Sequence, residues 1–503
     1  MASVMTMARE IPRKAAGTAG ADWIAAALLV LVMLATRAIV FGDPVVDFDE
    51  QLYSFIGWRM TQGDLPYVDL WDRKPFGLFL IFAASHALFG PEAIAFQVVA
   101  SVSAFIGALL VYGLAKAQVD RASATVAAAL YLLLLALYGS QSGQTEAFHT
   151  PMMLAMLWLL RDDHRPDATR RAAAAMLIGG LALQVKYTVL PQCLFFGAWA
   201  LLGEWRRGAR LPLLARRAAL FAALGLLPTV MVGLFYLWRG HFEAYWFANF
   251  VSFFDRVSPP HGRLRHDLLI GYIPIALLVL PGLYAAFRLN FPRDWGAYRF
   301  HAAWLLTALA TVLLPATVYA YYYATLVAPA ILVALPIIDR QGPLRFVPAV
   351  LLLLFATVLY NPPARYAGSL AERRAEARLS AAIVPFIGSE RDCLYVFDGP
   401  TALYRTTGTC LPTRFIYPDH LNNALETHAL GIDQTDEIVR ILAARPGAIV
   451  TASTPVTMQQ PRNLALIDKA IQRHYRPLLT ISQHDRAITA WARRDLAPKQ
   501  PGP

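Results

Sequence analysis

Long apolar runs alternate with short polar segments over the first 360 residues of the chain. A membrane-crossing helix needs roughly 17–25 apolar residues; several runs reach that length and others fall short of it. The pattern therefore predicts an all-α polytopic membrane protein with about 11–13 transmembrane helices, some of them tilted or broken. The runs are residues 29–41, 76–88, 94–115, 126–138, 152–160, 172–202, 211–238, 268–287, 302–318, 324–338 and 346–360.

Basic residues indicate which connecting segments face the cytoplasm. Arg9, Arg13 and Lys14 precede a first apolar stretch that is longer than the apolar part of a cleaved signal peptide, so we expect a retained helix with a cytoplasmic N-terminus. Further cytoplasmic loops are predicted at the basic clusters 161–171, 205–217, 288–299 and 340–345. The segments left outside the cytoplasm are residues 42–74, 239–267 and everything after 361.

One apolar segment does not fit this alternation. Residues 172–202 lie between two basic clusters, which predicts a hairpin of two short helices. The number of crossings between the outer segments 42–74 and 239–267 is then odd, although it must be even. Either the short run 76–88 is not a crossing, or the hairpin is one long broken helix.

The character of the chain changes after residue 360, where a proline-containing stop is followed by strand-like and helical segments of mixed polarity. We expect strands near 393–397, 448–451 and 477–481, separated by helices. These predict a C-terminal extracytoplasmic α/β domain of residues 364–503, after a transmembrane domain of residues 1–363. Cys393 and Cys410 both lie in it, either as a disulfide or as two buried thiols.

Composition supports a membrane protein and excludes other classes. Of the 503 residues 57% are hydrophobic and 16% are charged, and the mean hydropathy is +0.44. Soluble domains carry about 25% charged residues. The net charge of +11 is what cytoplasmic loops of a membrane protein supply, so we expect membrane lipid and no nucleic acid as partner.

The first outer segment is the most chemically distinctive part of the chain. Six carboxylates lie between residues 47 and 72, together with Arg59, Arg73 and Lys74. Acidic residues at a membrane surface bind metals through oxygen ligands, act as a general base, or remain solvated loop charges. Asp49, Asp69 and Asp72 could hold a divalent cation, but no ligand spacing demands one.

The order of these residues resembles the membrane-embedded C-type glycosyltransferases, which include protein O-mannosyltransferases and the aminoarabinose transferases that modify lipid A. The likeness rests on an Asp-Glu pair after the first helix, then Gly-Asp and Pro-Tyr-x-Asp-x-Trp-Asp-x-Lys-Pro before the next helix. Such enzymes take a sugar from a polyprenyl-phosphate carrier outside the cytoplasm. The resemblance implies the same donor class and a catalytic acid in the first outer loop.

The resemblance assigns roles by position. Asp49 matches the general base and Glu50 its catalytic neighbour. Asp72 matches an acid linked to metal or acceptor binding, and Lys74 a lysine that contacts the carrier phosphate. In some relatives the acid directly precedes the lysine, so the intervening Arg73 leaves Asp69 as an alternative to Asp72.

Other residues are predicted to bind substrate. An intramembrane lysine is a functional candidate, and Lys186 interrupts an apolar run after two glycines, as a phosphate-contacting lysine does in the family. Glu146 opens another helix, either as a dipole-favoured acid or as a pocket residue. Further candidates are Arg59 in the first outer loop, His261, Arg263 and Arg265 in the second outer loop, and Tyr322 and Tyr323, which replace a His-Tyr pair of the family.

The leading hypothesis is a glycosyltransferase of the bacterial cytoplasmic membrane that uses an undecaprenyl-phosphate-linked sugar, inverts the anomeric carbon and uses Asp49 as base. One alternative is a transporter or flippase for a lipid-linked sugar, although no internal repeat is evident. Another is a non-catalytic scaffold of an envelope polysaccharide system. The sequence leaves the sugar, the acceptor and the oligomeric state open.

Overall fold

The computed structural model describes the backbone of residues 18–257, 261–314 and 319–499, and their side chains except those of 18–21 and 261–270. The helices are α1 (Thr18–Arg37), α2 (Phe48–Met60), α3 (Phe76–Phe89), α4 (Ala93–Ala115), α5 (Arg121–Leu135), α6 (Thr145–Leu160), α7 (Ala168–Leu183), α8 (Leu190–Arg206), α9 (Leu211–Trp238), α10 (Phe242–Trp246), α11 (His261–Arg288), α12 (Trp295–Leu313), α13 (Ala324–Ile338), α14 (Val347–Tyr360), α15 (Pro362–Ile383), α16 (Leu403–Thr406), α17 (Pro418–Asn422), α18 (Gln434–Ala443) and α19 (Pro461–His474). The strands are β1 (Leu394–Val396), β2 (Ala448–Ala452), β3 (Tyr475–Gln483) and β4 (Arg486–Arg493).

Within the described residues, seven helices are long and apolar enough to cross a membrane. The chain is therefore a multi-pass membrane protein, and the predicted fold class is confirmed. Four further helices of 16 to 19 residues, which are shorter or more polar, lie between them, as expected from the short apolar runs. The seven are α1, α4, α5, α9, α11, α13 and the continuous stretch of α14 and α15, and the four are α6, α7, α8 and α12.

Helix α3 corresponds to the short apolar run 76–88, whose interpretation as a crossing is left open in the predicted alternation of cytoplasmic and outer segments. Just before it, the backbone N–H of Trp71 donates to the carbonyl oxygen of Arg414 at 3.0 Å. Just after it, the carbonyl oxygen of Pro91 accepts a hydrogen bond from Arg405. Both ends of α3 therefore lie against the C-terminal region, and we expect that α3 does not cross the membrane. The run 172–202 is the predicted hairpin, α7 and α8, with Lys186 at the break between them.

The C-terminal region carries a four-stranded sheet in the order β1-β2-β4-β3. β1 and β2 are parallel, and the pairs β2–β4 and β3–β4 are antiparallel. The first three strands lie where the sequence predicts them. β4 was not predicted, although its alternating burial is typical of a half-buried strand. A disulfide joins Cys393 and Cys410.

One hydrophobic cluster joins the first outer loop to the C-terminal region. It contains Leu52 and Phe55 of α2, Phe79 of α3, and Leu403 and Tyr404 of α16, all buried. Burial of such side chains stabilises by about 1.5–3 kcal/mol each, so the packing is strong enough to fix α2 and α3 against the C-terminal region. The acidic loop is therefore held between the membrane helices and the sheet.

Candidate active site

Asp49 lies in the first turn of α2, where the helix favours negative charge. Asp47 is the N-cap, and its Oδ1 accepts a hydrogen bond from the backbone N–H of Asp49 at 3.0 Å. The positive end of the helix dipole stabilises an anion at this position. The acidic loop therefore folds so that the predicted base begins a helix.

Four hydrogen-bond donors, three tyrosine hydroxyls and one lysine ammonium, surround the Asp49 carboxylate. Oδ2 accepts hydrogen bonds from the hydroxyls of Tyr53 at 3.0 Å and Tyr321 at 2.9 Å, and Nζ of Lys74 lies 3.5 Å from the same oxygen. Oδ1 accepts a hydrogen bond from the hydroxyl of Tyr417 at 3.0 Å. Burial alone would raise the pKa of Asp49, but the Lys74 charge and the three hydroxyls outweigh it and lower the pKa. The carboxylate is ionised at neutral pH.

The two acids that flank Asp49 are shifted in the opposite direction. Burial, together with the charge of Asp49, raises the pKa of Asp47 to about 7. Burial, together with the charge of Asp47, raises the pKa of Glu50 to about 8. Asp47 also accepts a hydrogen bond from Nε2 of Gln144 at 2.6 Å. Of these three neighbouring acids, Asp49 is therefore the one whose pKa favours the charged form.

Asp72 and Asp69 occupy different positions. Oδ1 of Asp72 accepts hydrogen bonds from the backbone N–H groups of Arg73 and, at 3.1 Å, of Lys74. Burial raises the pKa of Asp72. Oδ2 of Asp69 accepts from the backbone N–H of Leu65 at 2.8 Å and so closes an earlier turn. The structure thus places Asp72 at the turn that aims Lys74, and Asp69 in the preceding turn.

Lys186 lies on the other side of a group of tyrosines, Tyr321 and Tyr322, which we call the tyrosine cluster. Its Nζ donates to Oε1 of Glu146, whose side chain is fully buried in the first turn of α6. Nζ of Lys186 also stands 4.0 Å from the ring centroid of Tyr322 and 5.4 Å from that of Tyr321. Because Tyr321 also binds Asp49, the two lysines face one group of tyrosines. Nε2 of His149 lies 3.9 Å from Glu146.

Two of the predicted residues lie outside this cluster. Tyr323 is buried in the helical core, where its ring stacks on Tyr138 at 5.8 Å between centroids. Nε of Arg59 pairs with Oδ2 of Asp64 at 2.6 Å, ten residues along α2 from Asp49 and so about 15 Å away. The side chains of His261, Arg263 and Arg265 lie outside the described part of the chain.

Sequence analysis missed three contributors from distant parts of the chain. Glu426 binds the guanidinium of Arg73 through two hydrogen bonds and lies 2.8 Å from Nε of Arg256. Tyr321 and Tyr417 bind Asp49. The resemblance pointed to the two tyrosines after Tyr321, at the positions of a His-Tyr pair of the family, and no sequence signal connects Tyr417 or Glu426 with residue 49.

The donor set around Asp49 does not fit a divalent cation. Such a cation needs lone pairs directed at it from several oxygen atoms. The groups next to Asp49 instead direct the hydroxyl hydrogens of Tyr53, Tyr321 and Tyr417 and the ammonium of Lys74 toward it. No group of three or more His, Cys, Asp or Glu residues that could hold a metal occurs in the described ranges.

Comparison with known proteins confirms the resemblance to C-type glycosyltransferases. A family model described as dolichyl-phosphate-mannose-protein mannosyltransferase matches residues 73–232, less than half of the chain. The match begins after Asp49. No curated protein sequence matches the chain.

Among solved structures, the fold is similar to ArnT from Cupriavidus metallidurans in two states. The apo form aligns with a TM-score of 0.63 at 15% identity, and the form bound to undecaprenyl phosphate with a TM-score of 0.59 at 16% identity. Each alignment covers 94% of this chain and 98% of ArnT.

Proposed function

We propose that this protein is a glycosyltransferase that moves a sugar from a polyprenyl-phosphate carrier, such as undecaprenyl phosphate, to an acceptor at the outer face of the membrane. The observation that carries the proposal is the ionised Asp49 carboxylate beside Lys74, with Lys186 across the tyrosine cluster. A base and two cations are what the reaction needs. Undecaprenyl phosphate bound to ArnT, which has a similar fold, supports this donor class.

In the proposed reaction Asp49 acts as general base. It removes a proton from the acceptor nucleophile while that nucleophile attacks the anomeric carbon. A single displacement inverts the configuration and needs no second carboxylate as a nucleophile. Because Glu50 is mainly protonated at neutral pH, we assign it no proton-accepting step and give it a supporting role in the first turn of α2.

Lys74 and Lys186 would hold the phosphate that leaves. Negative charge develops on the phosphate oxygen as the bond to the sugar breaks, and preorganised cations stabilise that charge in a site shielded from water. Asp72 contributes by shaping the turn that carries Lys74, and Glu146 by holding Lys186. The polyprenyl tail would lie between membrane helices.

We further propose that residues 364–503 form a separate domain on the outer side of a bacterial cytoplasmic membrane, where it covers the acceptor side of the site. Positive residues predicted to be cytoplasmic lie at the opposite end of the helices. Asp22, at the start of α1, pairs with Lys116 after α4 at 2.9 Å at that end. Asp49 lies beyond the end of α1, toward the C-terminal region.

The test compares envelope glycans by mass spectrometry in a strain that lacks the protein and is complemented with variants. Asp49→Asn, which keeps the shape of the side chain, is expected to abolish the mass increase due to the sugar, and Asp49→Glu to restore part of it. Asp64→Asn changes an acid of the same loop that pairs with Arg59 and should keep full modification. Full modification with Asp49→Asn would refute the base assignment, and no sugar-dependent mass difference with the native protein would refute transfer.

A further inference from the structure

The two oxygens of the Asp49 carboxylate are unequally occupied. Oδ2 has three neighbours that present hydrogens, namely Tyr53, Tyr321 and Lys74. Oδ1 has one hydrogen-bond donor from a described side chain, the hydroxyl of Tyr417. A carboxylate oxygen offers about two lone-pair positions. Oδ2 is therefore saturated, whereas Oδ1 keeps room for one more hydrogen.

Resting on the proposed function, we infer that Oδ1 of Asp49 is the atom that receives the acceptor's proton, and that Tyr417 is a positioning residue that aims this oxygen. The acceptor then approaches from the side of the C-terminal region. A hydroxyl or amine group of the acceptor would bind at the second position on Oδ1, next to the Tyr417 hydroxyl.

The two faces of Asp49 agree with an in-line displacement. The Oδ2 face carries Lys74, and through Tyr321 it leads to Lys186. If the phosphate leaving group binds on this face and the acceptor on the Oδ1 face, the two groups lie on opposite sides of the anomeric carbon. The acceptor O–H or N–H proton goes to Oδ1, the new bond forms at the anomeric carbon, and the electrons of its bond to phosphate oxygen leave with the polyprenyl phosphate.

Tyr417 is held firmly enough to orient a carboxylate. Its ring lies 5.3 Å from the ring of His420, which in turn packs at 4.7 Å, edge to face, against the buried Trp71. Trp71 belongs to the first outer loop and is joined to the C-terminal region through the carbonyl oxygen of Arg414 at 3.0 Å. The segment that carries Lys74 and the segment that carries Tyr417 are therefore packed as one unit.

The test uses Tyr417→Phe, with Tyr395→Phe as the matched control. Tyr395 is a buried tyrosine of β1 that undergoes the same chemical change away from Asp49. Purified full-length variants are added to membrane vesicles from the deletion strain, which contain the native donor and acceptor. Initial rates of product formation are followed by mass spectrometry between pH 3 and 9, a range that includes the acid limb expected for the lowered pKa of Asp49, and binding of undecaprenyl phosphate is measured separately.

For Tyr417→Phe we expect kcat to fall by about 10-fold to 100-fold, as loss of a hydrogen bond to a charged group predicts, with undecaprenyl phosphate binding unchanged. The acid limb of the pH–rate profile should move to higher pH, because this hydroxyl helps to lower the pKa of Asp49. The other groups that face Asp49 stay in place; these are Lys74, Tyr53, Tyr321, Asp47 and Asp72. Tyr395→Phe should behave like the native protein.

The outcomes separate this inference from the proposed function. No product with the native protein would overturn the function itself. The inference alone would be overturned if the native protein and Tyr395→Phe are active and Tyr417→Phe has the native kcat and an unshifted pH–rate profile. A loss of undecaprenyl phosphate binding equal to the loss of kcat would also overturn it, since Tyr417 would then act on the donor side. Because unfolding in acid would also move the limb, the folded fraction of each variant is measured at every pH and the rates are divided by it.

Discussion

Arg73 and Glu426, 353 residues apart in the chain, form a two-point ion pair between the loop before α3 and the C-terminal region. Arg256, in the second outer loop, binds the same carboxylate. One acid therefore holds three distant segments together next to Asp49. The side chain of Glu426 is only 4% exposed, so its charge depends on these two partners.

Replacing Glu426 should destabilise the protein. Glu426→Gln keeps the shape but leaves two arginine charges without a counterion, and removing one partner of a buried pair costs about 3–5 kcal/mol. We expect a clearly lower melting temperature of the purified protein in detergent. Arg445→Gln, which breaks a half-exposed pair with Asp495, is the control and should leave the melting temperature unchanged. Equal melting temperatures for both variants would contradict the structural role of Glu426.

When Lys186 and its counterion Glu146 are replaced together, we expect the loss of Lys186 to weaken phosphate binding more than it lowers stability. Lys186→Met alone leaves Glu146 buried and unpaired, so we expect lower stability and weaker binding of undecaprenyl phosphate. The double variant with Glu146→Gln should recover stability but not binding. Lys116→Met, in an exposed pair at the opposite end of the helices, is the control for loss of a lysine charge. Native binding by the double variant would remove Lys186 from the phosphate site.

The stability of the protein should depend on pH through Glu50. Its pKa is raised to about 8 in the folded protein, so its stabilising contribution is complete below pH 4.5 and is lost as the pH rises through about 8. Glu50→Gln removes this loss. We expect its advantage over the native protein to grow by about 2 kcal/mol between pH 6 and pH 8, seen as a widening difference in melting temperature. A constant difference across this range would show that Glu50 does not titrate there.

The position of α3 can be tested by cysteine labelling in whole cells. In a Cys193→Ala background, Glu92→Cys and Asp64→Cys should react with a membrane-impermeant thiol reagent, because both lie on the Asp49 side. His164→Cys, in the highly exposed loop between α6 and α7, should react only after permeabilisation. Protection of residue 92 in intact cells would mean that α3 crosses the membrane.

Most of the fold could be predicted from patterns that are local in the sequence. The apolar runs and basic clusters located the membrane helices, and the hairpin around Lys186 could be recognised because its apolar run lies between two basic clusters. Helix α3 was ambiguous for a physical reason. It is apolar on all sides: one face packs against α2, α4 and the C-terminal region, while Leu80, Leu88 and Phe89 are exposed, and a helix of this composition resembles a membrane-crossing one.

The site was predictable only where it is local in sequence. Asp49, Asp72 and Lys74 lie within one loop and form a linear motif. Tyr417 and Glu426 reach the same place through packing of the C-terminal region, and no residue spacing can encode that. Arg59 shows the converse, since it is close to Asp49 in sequence but lies at the far end of α2.

The position of α3 has a consequence for how the lipid environment acts on the enzyme. Asp49 lies on α2 and Lys74 in the loop before α3, both packed against the C-terminal region, whereas Lys186 lies at the turn of the α7–α8 hairpin, which we expect within the membrane. Crossing helices tilt to match bilayer thickness. A thicker or thinner membrane would therefore shift Lys186 against a fixed Asp49–Lys74 pair. Lipid chain length would set the distance between the two cations, and thus the grip on the phosphate.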